Sequence, residues 1–214
     1  MKLFLEGLKK AIVEGDMNRA EELAKKALET GESSLKTIND DVVPGILEAG
    51  ELWKQGEYFV PEVVMSAEAF KAAMAVLEEN QPGVGKGTKG KYLICTVEGD
   101  IHDLGKNIVV TMLKAAGFEV IDLGVDIPLS TFIAKVKEEK PHIVGLGAYM
   151  STTATTMKDY IEALVNEKLR GSVKVMIGGV RTSEKYAKEL GADSWGLDGV
   201  DTAEKALALM EVQQ

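Results

Sequence analysis

The sequence has little cysteine, little histidine and no long apolar stretch. Its 214 residues include one cysteine, Cys95, and two histidines, His102 and His142. A single cysteine cannot form an internal disulfide, which is typical of a reducing compartment, and the first residues lack a signal-peptide pattern. No apolar run approaches the roughly 18 residues that a membrane span needs. We therefore expect a cytoplasmic protein, with no membrane partner and no conventional zinc site.

Basic residues are also scarce relative to acidic ones. The chain has 25 Lys and Arg against 34 Asp and Glu, a formal net charge of −9. Residues 1–80 hold 9 basic and 16 acidic residues, so most of the imbalance lies there. Without a basic face we expect no nucleic-acid partner. The acidic part is either an ordinary solvated surface or a docking surface for basic partners, and the sequence leaves both open.

Residues 82–90 interrupt the chain with four glycines and one proline. Such a segment holds neither helix nor strand well, so it predicts a flexible linker, although a glycine-rich stretch can also cradle a phosphate. The predicted domains are therefore 1–81, which is helical, and 91–214. In the first domain, apolar residues recur at helical spacing in four runs, which predicts a four-helix bundle.

The second domain alternates between apolar runs and helical patterns. Five βα units predict an α/β fold with a doubly wound, five-stranded parallel sheet of the Rossmann-like or flavodoxin-like type. Ligands of such sheets bind beyond the carboxyl ends of the strands. Predicted strands are 92–97, 119–123, 143–147, 173–177 and 194–195, and predicted helices lie near 105–116, 130–139, 156–169, 182–190 and 201–211.

The loop after the first predicted strand carries the residues best suited to chemistry. Asp100 precedes His102 by two residues, close enough to hydrogen-bond one imidazole nitrogen and leave the other free for a metal. Gly105 lets a large planar ligand approach the backbone where the next helix begins. The other interpretations are an ordinary hydrogen-bonded histidine or an anion site at a helix N-terminus. A site with one histidine suits a metal whose other ligands come from a macrocycle.

The pattern Asp100-x-His102-x-x-Gly105 resembles the signature of the cobalamin-binding domain found in methionine synthase, B12-dependent mutases and small corrinoid proteins of methyltransferase systems. Two further segments agree with this resemblance: the pair Gly178-Gly179 and the loop from Gly147 to Thr153. Residues 52–65, Leu-Trp-x-x-Gly-x-Tyr-Phe-x-Pro-Glu-Val-x-Met, resemble the helical cap of methionine synthase and of the methyltransferase corrinoid proteins. The mutases lack this cap.

The resemblance implies a bound cobalamin or related corrinoid whose nucleotide tail is withdrawn from cobalt. His102 becomes the lower axial ligand, Asp100 orients it, and Thr153 contacts the aspartate. Gly147 and Tyr149 stand where the family usually has serine and leucine, which implies altered contacts to the tail. The residues implied to contact the corrinoid are Gly99, Asp100, Ile101, His102, Asp103, Gly105, Gly147, Tyr149, Ser151, Thr153, Gly178, Gly179 and, from the cap, Phe59.

The implied function is that of a methyl carrier and not of a complete enzyme. A substrate-specific methyltransferase would load a methyl group from a methylamine, methanol or an aryl methyl ether onto cobalt. A second methyltransferase would pass it to a thiol or to tetrahydrofolate, and a reductive activase is a further expected partner. The alternatives are a small subunit of an adenosylcobalamin-dependent mutase and a B12-dependent regulator.

Overall fold

The computed structural model describes residues 2–80, 87 and 89–211. The chain divides into two compact units, with the division between residues 86 and 87. Most of the predicted linker, residues 82–86 and 88, lies outside the described residues. No helix in the described ranges is long and apolar enough to cross a membrane.

The first unit is a bundle of helical segments, which confirms the predicted fold. Its helices are α1 Lys2–Val13, α2 Met17–Glu29, α3 Ser34–Thr37, α4 Val43–Lys54 and α5 Val60–Asn80. Because α3 runs through a π-helical turn into α4, the helices form four rods, as expected. α1 and α5 each pack against both α2 and α4. Fully buried apolar side chains such as Ile12, Ala20, Ile46 and Leu77 fill the space between them.

The π-helical turn, Ile38–Val42, lies directly before Pro44. The amide of Val43 donates to the carbonyl oxygen of Ile38, five residues earlier. Proline has no N–H to donate, and its ring clashes with the carbonyl one α-turn before it. The wider turn relieves that clash, so the helix continues through Pro44 instead of breaking there.

The second unit is a five-stranded parallel sheet with order β2-β1-β3-β4-β5. This flavodoxin-like order confirms the predicted class, and every strand lies within one residue of its predicted bounds. The strands are β1 Lys91–Thr96, β2 Glu119–Asp122, β3 Ile143–Gly147, β4 Lys174–Gly178 and β5 Ser194–Gly196. The helices are α6 Leu104–Ala115, α7 Leu129–Glu139, α8 Ser151–Asn166, α9 Glu184–Leu190 and α10 Gly199–Glu211.

Helices cover both faces of the sheet. On one face α7, α8 and α9 bury a core that includes Leu93, Val144, Val175 and Ile177. On the other face α6 packs against α10. Because parallel strands all end at the same edge, the loops after β1, β3, β4 and β5 meet there.

The largest difference from the predicted elements is the start of α8. The sequence pattern places this helix near 156–169, whereas it begins at Ser151. The early residues are mostly threonines, which have low intrinsic helix propensity because their side chains are β-branched. Thr153 compensates by accepting a hydrogen bond from the amide of Met150, which precedes the helix.

A buried carboxyl group in the π-helical turn makes the helical unit sensitive to pH. Asp41 is 4% exposed, and its Oδ2 has no hydrogen-bond partner within the described ranges. Burial, together with the neighbouring Asp40 and Glu32, raises the pKa of Asp41 to a net value of about 6. Lys36 and Lys9 act in the opposite direction. Ionisation of the Asp41 carboxyl group therefore lowers the free energy of unfolding, because the charge is buried.

We expect Asp41→Asn to remove a pH dependence of stability. Because the folded pKa lies above the unfolded one, wild-type stability is highest below about pH 4 and falls as the pH rises through about 6. The loss amounts to roughly 2–3 kcal/mol. Urea unfolding at pH 5 and pH 8, with hydrogen exchange of α4 peptides at the same two pH values, captures about half of this loss, because the unfolded carboxyl group is already largely ionised at pH 5. Glu29→Gln, at an exposed carboxyl group of α2 that does not act on the pKa of Asp41, is the control, and an unchanged pH slope in Asp41→Asn would contradict the assignment.

Candidate functional site

The loop between β1 and α6 brings the predicted Asp100 and His102 into direct contact. The carboxylate Oδ1 of Asp100 lies 2.8 Å from Nδ1 of His102 and accepts the backbone amide of the same residue at 3.1 Å. The loop is tight, since the amide of Asp100 donates to the carbonyl oxygen of Val97 at 3.1 Å. The structure thus places together the pair that the spacing predicts.

The second carboxylate oxygen of Asp100 binds the loop after β3. Oδ2 accepts the hydroxyl of Thr153 at 2.6 Å and the backbone amide of Tyr149 at 2.7 Å. The Asp100 side chain is fully buried, so all of these donors replace water. One carboxylate therefore joins two loops and one imidazole.

The ionised form of Asp100 is strongly favoured. Burial by itself raises the pKa of this carboxyl group, but hydrogen bonds from Thr153, from the Tyr149 amide and from the backbone amide and Nδ1 of His102 outweigh burial. Together they lower its pKa to about 2. Asp100 is consequently a permanent acceptor at neutral pH, which holds a proton on Nδ1 of His102.

The other nitrogen of the imidazole is left available. Nε2 of His102 has no hydrogen-bond partner among the residues that the structure describes, and its side chain is 53% exposed. Neutral imidazole protonated on Nδ1 presents an unprotonated Nε2, which is the form that binds metals. The arrangement is a single imidazole that is oriented through Nδ1 and half-exposed to solvent.

Three residues that sequence reasoning missed fix the shape of the β1–α6 loop. The hydroxyl of Thr96 donates to the carbonyl oxygen of Asp100 at 2.8 Å, and the carboxylate of Asp126 accepts the Gly99 amide at 2.6 Å. The hydroxyl of Tyr160 accepts a loop amide at 2.9 Å. Asp126 lies in the loop after β2, so its position beyond a strand end was a usable signal. Tyr160 is 62 residues from its partner, and no sequence pattern indicates that contact.

Three glycines lie at the carboxyl end of the sheet, on the face that packs against α6 and α10. No side chains project from that face at these positions. Gly147, Gly178 and Gly196 stand in register on the three neighbouring strands β3, β4 and β5. In-register residues of parallel strands point to the same face, so three side chains are missing side by side. At Gly196 the space is taken by Thr202 of α10. Gly147 and Gly178 are half-buried; a Cβ at Gly178 would meet nothing closer than 3.6 Å, and one at Gly147 would lie 3.3 Å from the methyl group of Thr96.

Two of the predicted glycines turn out to have different roles. Gly179 has φ +116°, and a methyl group there would lie 2.0 Å from the carbonyl oxygen of Ala148. The fold alone therefore requires glycine at 179, whether or not a ligand lies beside it. At Gly178 a methyl group would meet nothing closer than 3.6 Å, so the fold does not demand glycine there.

Gly105 makes room for Tyr149. A methyl group on Gly105 would lie 2.5 Å from the phenolic oxygen of Tyr149. The tyrosine ring also lies 5.8 Å from the His102 ring, centroid to centroid. The space that the sequence assigned to a planar ligand is filled here by a side chain of the protein.

Comparisons with known proteins identify the family of the chain. A B12-binding domain model matches residues 90–209, and a second B12-binding domain model matches residues 4–78. The chain belongs to the B12-binding family. The first match covers more than half of the chain and contains all of the loops that meet at His102.

Close relatives span nearly the whole length of this B12-binding protein. A corrinoid protein of Desulfitobacterium hafniense strain Y51 is 44% identical and covers 94% of this chain and 95% of its own. A trimethylamine corrinoid protein of Methanosarcina barkeri is 39% identical and covers 95% of each chain. The methanol:cobalamin methyltransferase complex of Methanosarcina barkeri contains a chain that is 30% identical, with a TM-score of 0.84 over 98% of this chain and 80% of that one.

Exposed apolar side chains lie on the loops at the same carboxyl edge of the sheet as His102. They come from four of the loops that meet there: Ile101, Leu104, Met150, Val180 and Leu197. Large apolar groups exposed together in one place indicate a binding surface more often than a free one. This edge is therefore suited to a broad ligand with an apolar face.

The remaining predicted site residues lie outside the hydrogen-bond network of Asp100. Asp103 and Ser151 are exposed at the starts of α6 and α8, on the same loops as the network. Phe59 is exposed directly before α5 in the helical unit, so a corrinoid contact there stays a prediction.

We expect Thr153→Val to weaken the aspartate network of the B12-binding domain. Losing this donor should raise the pKa of Asp100 from about 2 towards its ordinary value of 3.8 and lower the free energy of unfolding at pH 7 by about 1–3 kcal/mol. The ionised carboxylate contributes stability above about pH 4, and this contribution is lost as the pH falls through about 2. Carbon-13 NMR of the aspartate carboxyl groups and urea unfolding measure both effects.

Thr155→Val is the matched control for that experiment. Its exposed hydroxyl donates only to the carbonyl oxygen of Thr152, at 2.7 Å. An Asp100 pKa that stays the same in Thr153→Val would show that this hydroxyl does not stabilise the carboxylate.

Proposed function

We propose that the protein carries a methyl group on the cobalt of a corrinoid bound at the carboxyl edge of the sheet, with His102 as the lower axial ligand. The observation that carries the proposal is the imidazole of His102, held by the buried Asp100 through Nδ1 and open to solvent at Nε2. When bound, the corrinoid supplies a cobalt centre that accepts and gives up a methyl group.

The site fits a corrinoid in three respects. The macrocycle supplies the equatorial ligands of its metal, so the protein needs to offer one axial nitrogen. The exposed apolar side chains at the carboxyl edge suit the face of a broad ring. The lack of side chains at Gly147 and Gly178 offers room on the α6–α10 face for the nucleotide tail, which has to be withdrawn from cobalt if His102 is to bind.

Asp100 and Thr153 orient His102 and polarise its imidazole. The carboxylate accepts a hydrogen bond from Nδ1–H, which increases electron density at Nε2 and strengthens it as a ligand. When a corrinoid is bound, Nε2 of His102 would hold its metal, and the ionised Asp100 would stabilise the positive charge that the metal induces on the imidazole. Thr153 keeps the carboxylate ionised and in place through its 2.6 Å hydrogen bond.

The partners follow from the relatives. The names of two relatives refer to trimethylamine and to methanol:cobalamin methyltransferase. We infer that a substrate-specific methyltransferase loads this protein and that a second methyltransferase unloads it to a thiol or tetrahydrofolate. A reductive activase would restore corrinoid that has been oxidised. The protein is then a carrier that needs its partners for turnover.

Replacing His102 by Ala should remove the axial nitrogen. In protein loaded with corrinoid and reduced to Co(II), the electron paramagnetic resonance spectrum should show splitting by one nitrogen. Labelling histidine with nitrogen-15 should change each triplet into a doublet, and His102→Ala should abolish the effect.

His142→Ala is the control for this assignment. Nδ1 of His142 accepts the amide of Lys91 at 3.0 Å, away from the carboxyl edge, so its replacement should leave the spectrum unchanged. A splitting that does not respond to histidine labelling would refute the ligand assignment without refuting corrinoid binding.

The methyl-carrier function has a separate test. The loaded protein is reduced to Co(I) and offered methyl iodide, and the absorbance spectrum should convert to that of a methylated corrinoid. Apoprotein mixed with methyl iodide is the control. Failure of the reduced, loaded protein to take up the methyl group would contradict methyl carriage.

A further inference from the structure

The side chain of Tyr149 lies close to Gly105, Gly147 and His102. Its phenolic oxygen lies over Gly105 at the start of α6, and its ring edge lies 3.7 Å from where a Cβ on Gly147 would be. The ring also stands beside the imidazole, 5.8 Å between centroids. The side chain of Tyr149 thus lies between His102 and Gly147 of β3.

The backbone of Tyr149 is fixed, so only its side chain is free to leave. The Tyr149 amide donates to Asp100 at 2.7 Å, and the preceding amide, of Ala148, donates to the carbonyl oxygen of Gly178 at 3.1 Å. Its phenolic hydroxyl has no hydrogen-bond partner in the described ranges of the chain. Rotation of the ring therefore breaks no polar contact of the described residues.

We infer that Tyr149 is a specificity-determining residue for the lower side of the corrinoid. Its ring and a bulky nucleotide tail cannot both occupy the space between Gly105 and Gly147. A corrinoid with a benzimidazole tail has to displace the ring, whereas one without a tail does not. This inference rests on the proposed function, and it adds that the chain discriminates between corrinoids by their tails.

The test compares cobalamin with cobinamide, which has the same macrocycle and no nucleotide tail. Each is titrated into full-length apoprotein, and binding is followed by the change in corrinoid absorbance, without any methyl transfer. We expect Tyr149→Ala to tighten cobalamin binding about tenfold and to change cobinamide binding by less than about twofold, where tenfold corresponds to about 1.4 kcal/mol.

Two further variants separate the ring from its hydroxyl and from a general loss of packing. Tyr149→Phe keeps the ring and should keep the wild-type ratio of the two affinities. Tyr149→Leu fills part of the space with a flexible aliphatic group and should fall between Ala and wild type, which also covers the case that the Ala variant fails to fold. Tyr186→Leu, on α9 at the opposite face of the sheet, is the matched control and should keep the wild-type ratio.

The outcomes distinguish a failure of the role assigned to Tyr149 from a failure of the proposed function. If both corrinoids bind and the affinity ratio is the same in wild type, Tyr149→Ala and Tyr149→Leu, the role of Tyr149 is refuted and the proposed function stands. If neither corrinoid binds to the wild-type protein, the proposed function fails and the inference fails with it. A ratio that changes equally in Tyr186→Leu would also refute the assignment to Tyr149.

Discussion

The site depends on one buried carboxylate. Asp100 accepts four hydrogen bonds, and each comes from a different group that it positions: the imidazole and amide of His102, the amide of Tyr149 and the hydroxyl of Thr153. An ionised carboxylate in such a place is stable only because its acceptor capacity is used. The hydrogen bond from Nδ1 to Asp100 keeps the ring proton of His102 on Nδ1 and leaves Nε2 available for a metal.

Around this centre the fold supplies space by leaving side chains out. Gly147 and Gly178 present no side chain on one sheet face, while Gly179 is glycine because the chain passes too close to Ala148 for any Cβ. Neighbouring glycines thus differ, because the fold requires glycine at 179 and does not require it at 178. The Tyr149 side chain fills part of the space between Gly105 and Gly147. The site beside His102 is therefore narrower than the glycines alone indicate.

Much of this was predictable from local sequence. Strand bounds follow from short apolar runs, and the contact between Asp100 and His102 follows from a spacing of two residues in a loop. The start of α8 was predicted too late, since its threonines lower local propensity while the hydrogen bond from the Met150 amide to Thr153 supports the first turn. Asp41 was not singled out, because its burial arises from the packing of the bundle around the π-helical turn.

The sequence by itself determined the order of elements, the parallel sheet, and the contact between His102 and Asp100. These depend on periodicity and on neighbours along the chain, which a single sequence records directly. Only the tertiary structure decided which distant groups complete the site. Thr153 reaches Asp100 across 53 residues, and Tyr149 reaches Gly105 because β1 and β3 are adjacent in the sheet. Such contacts depend on strand order and side-chain direction, which are properties of the assembled sheet.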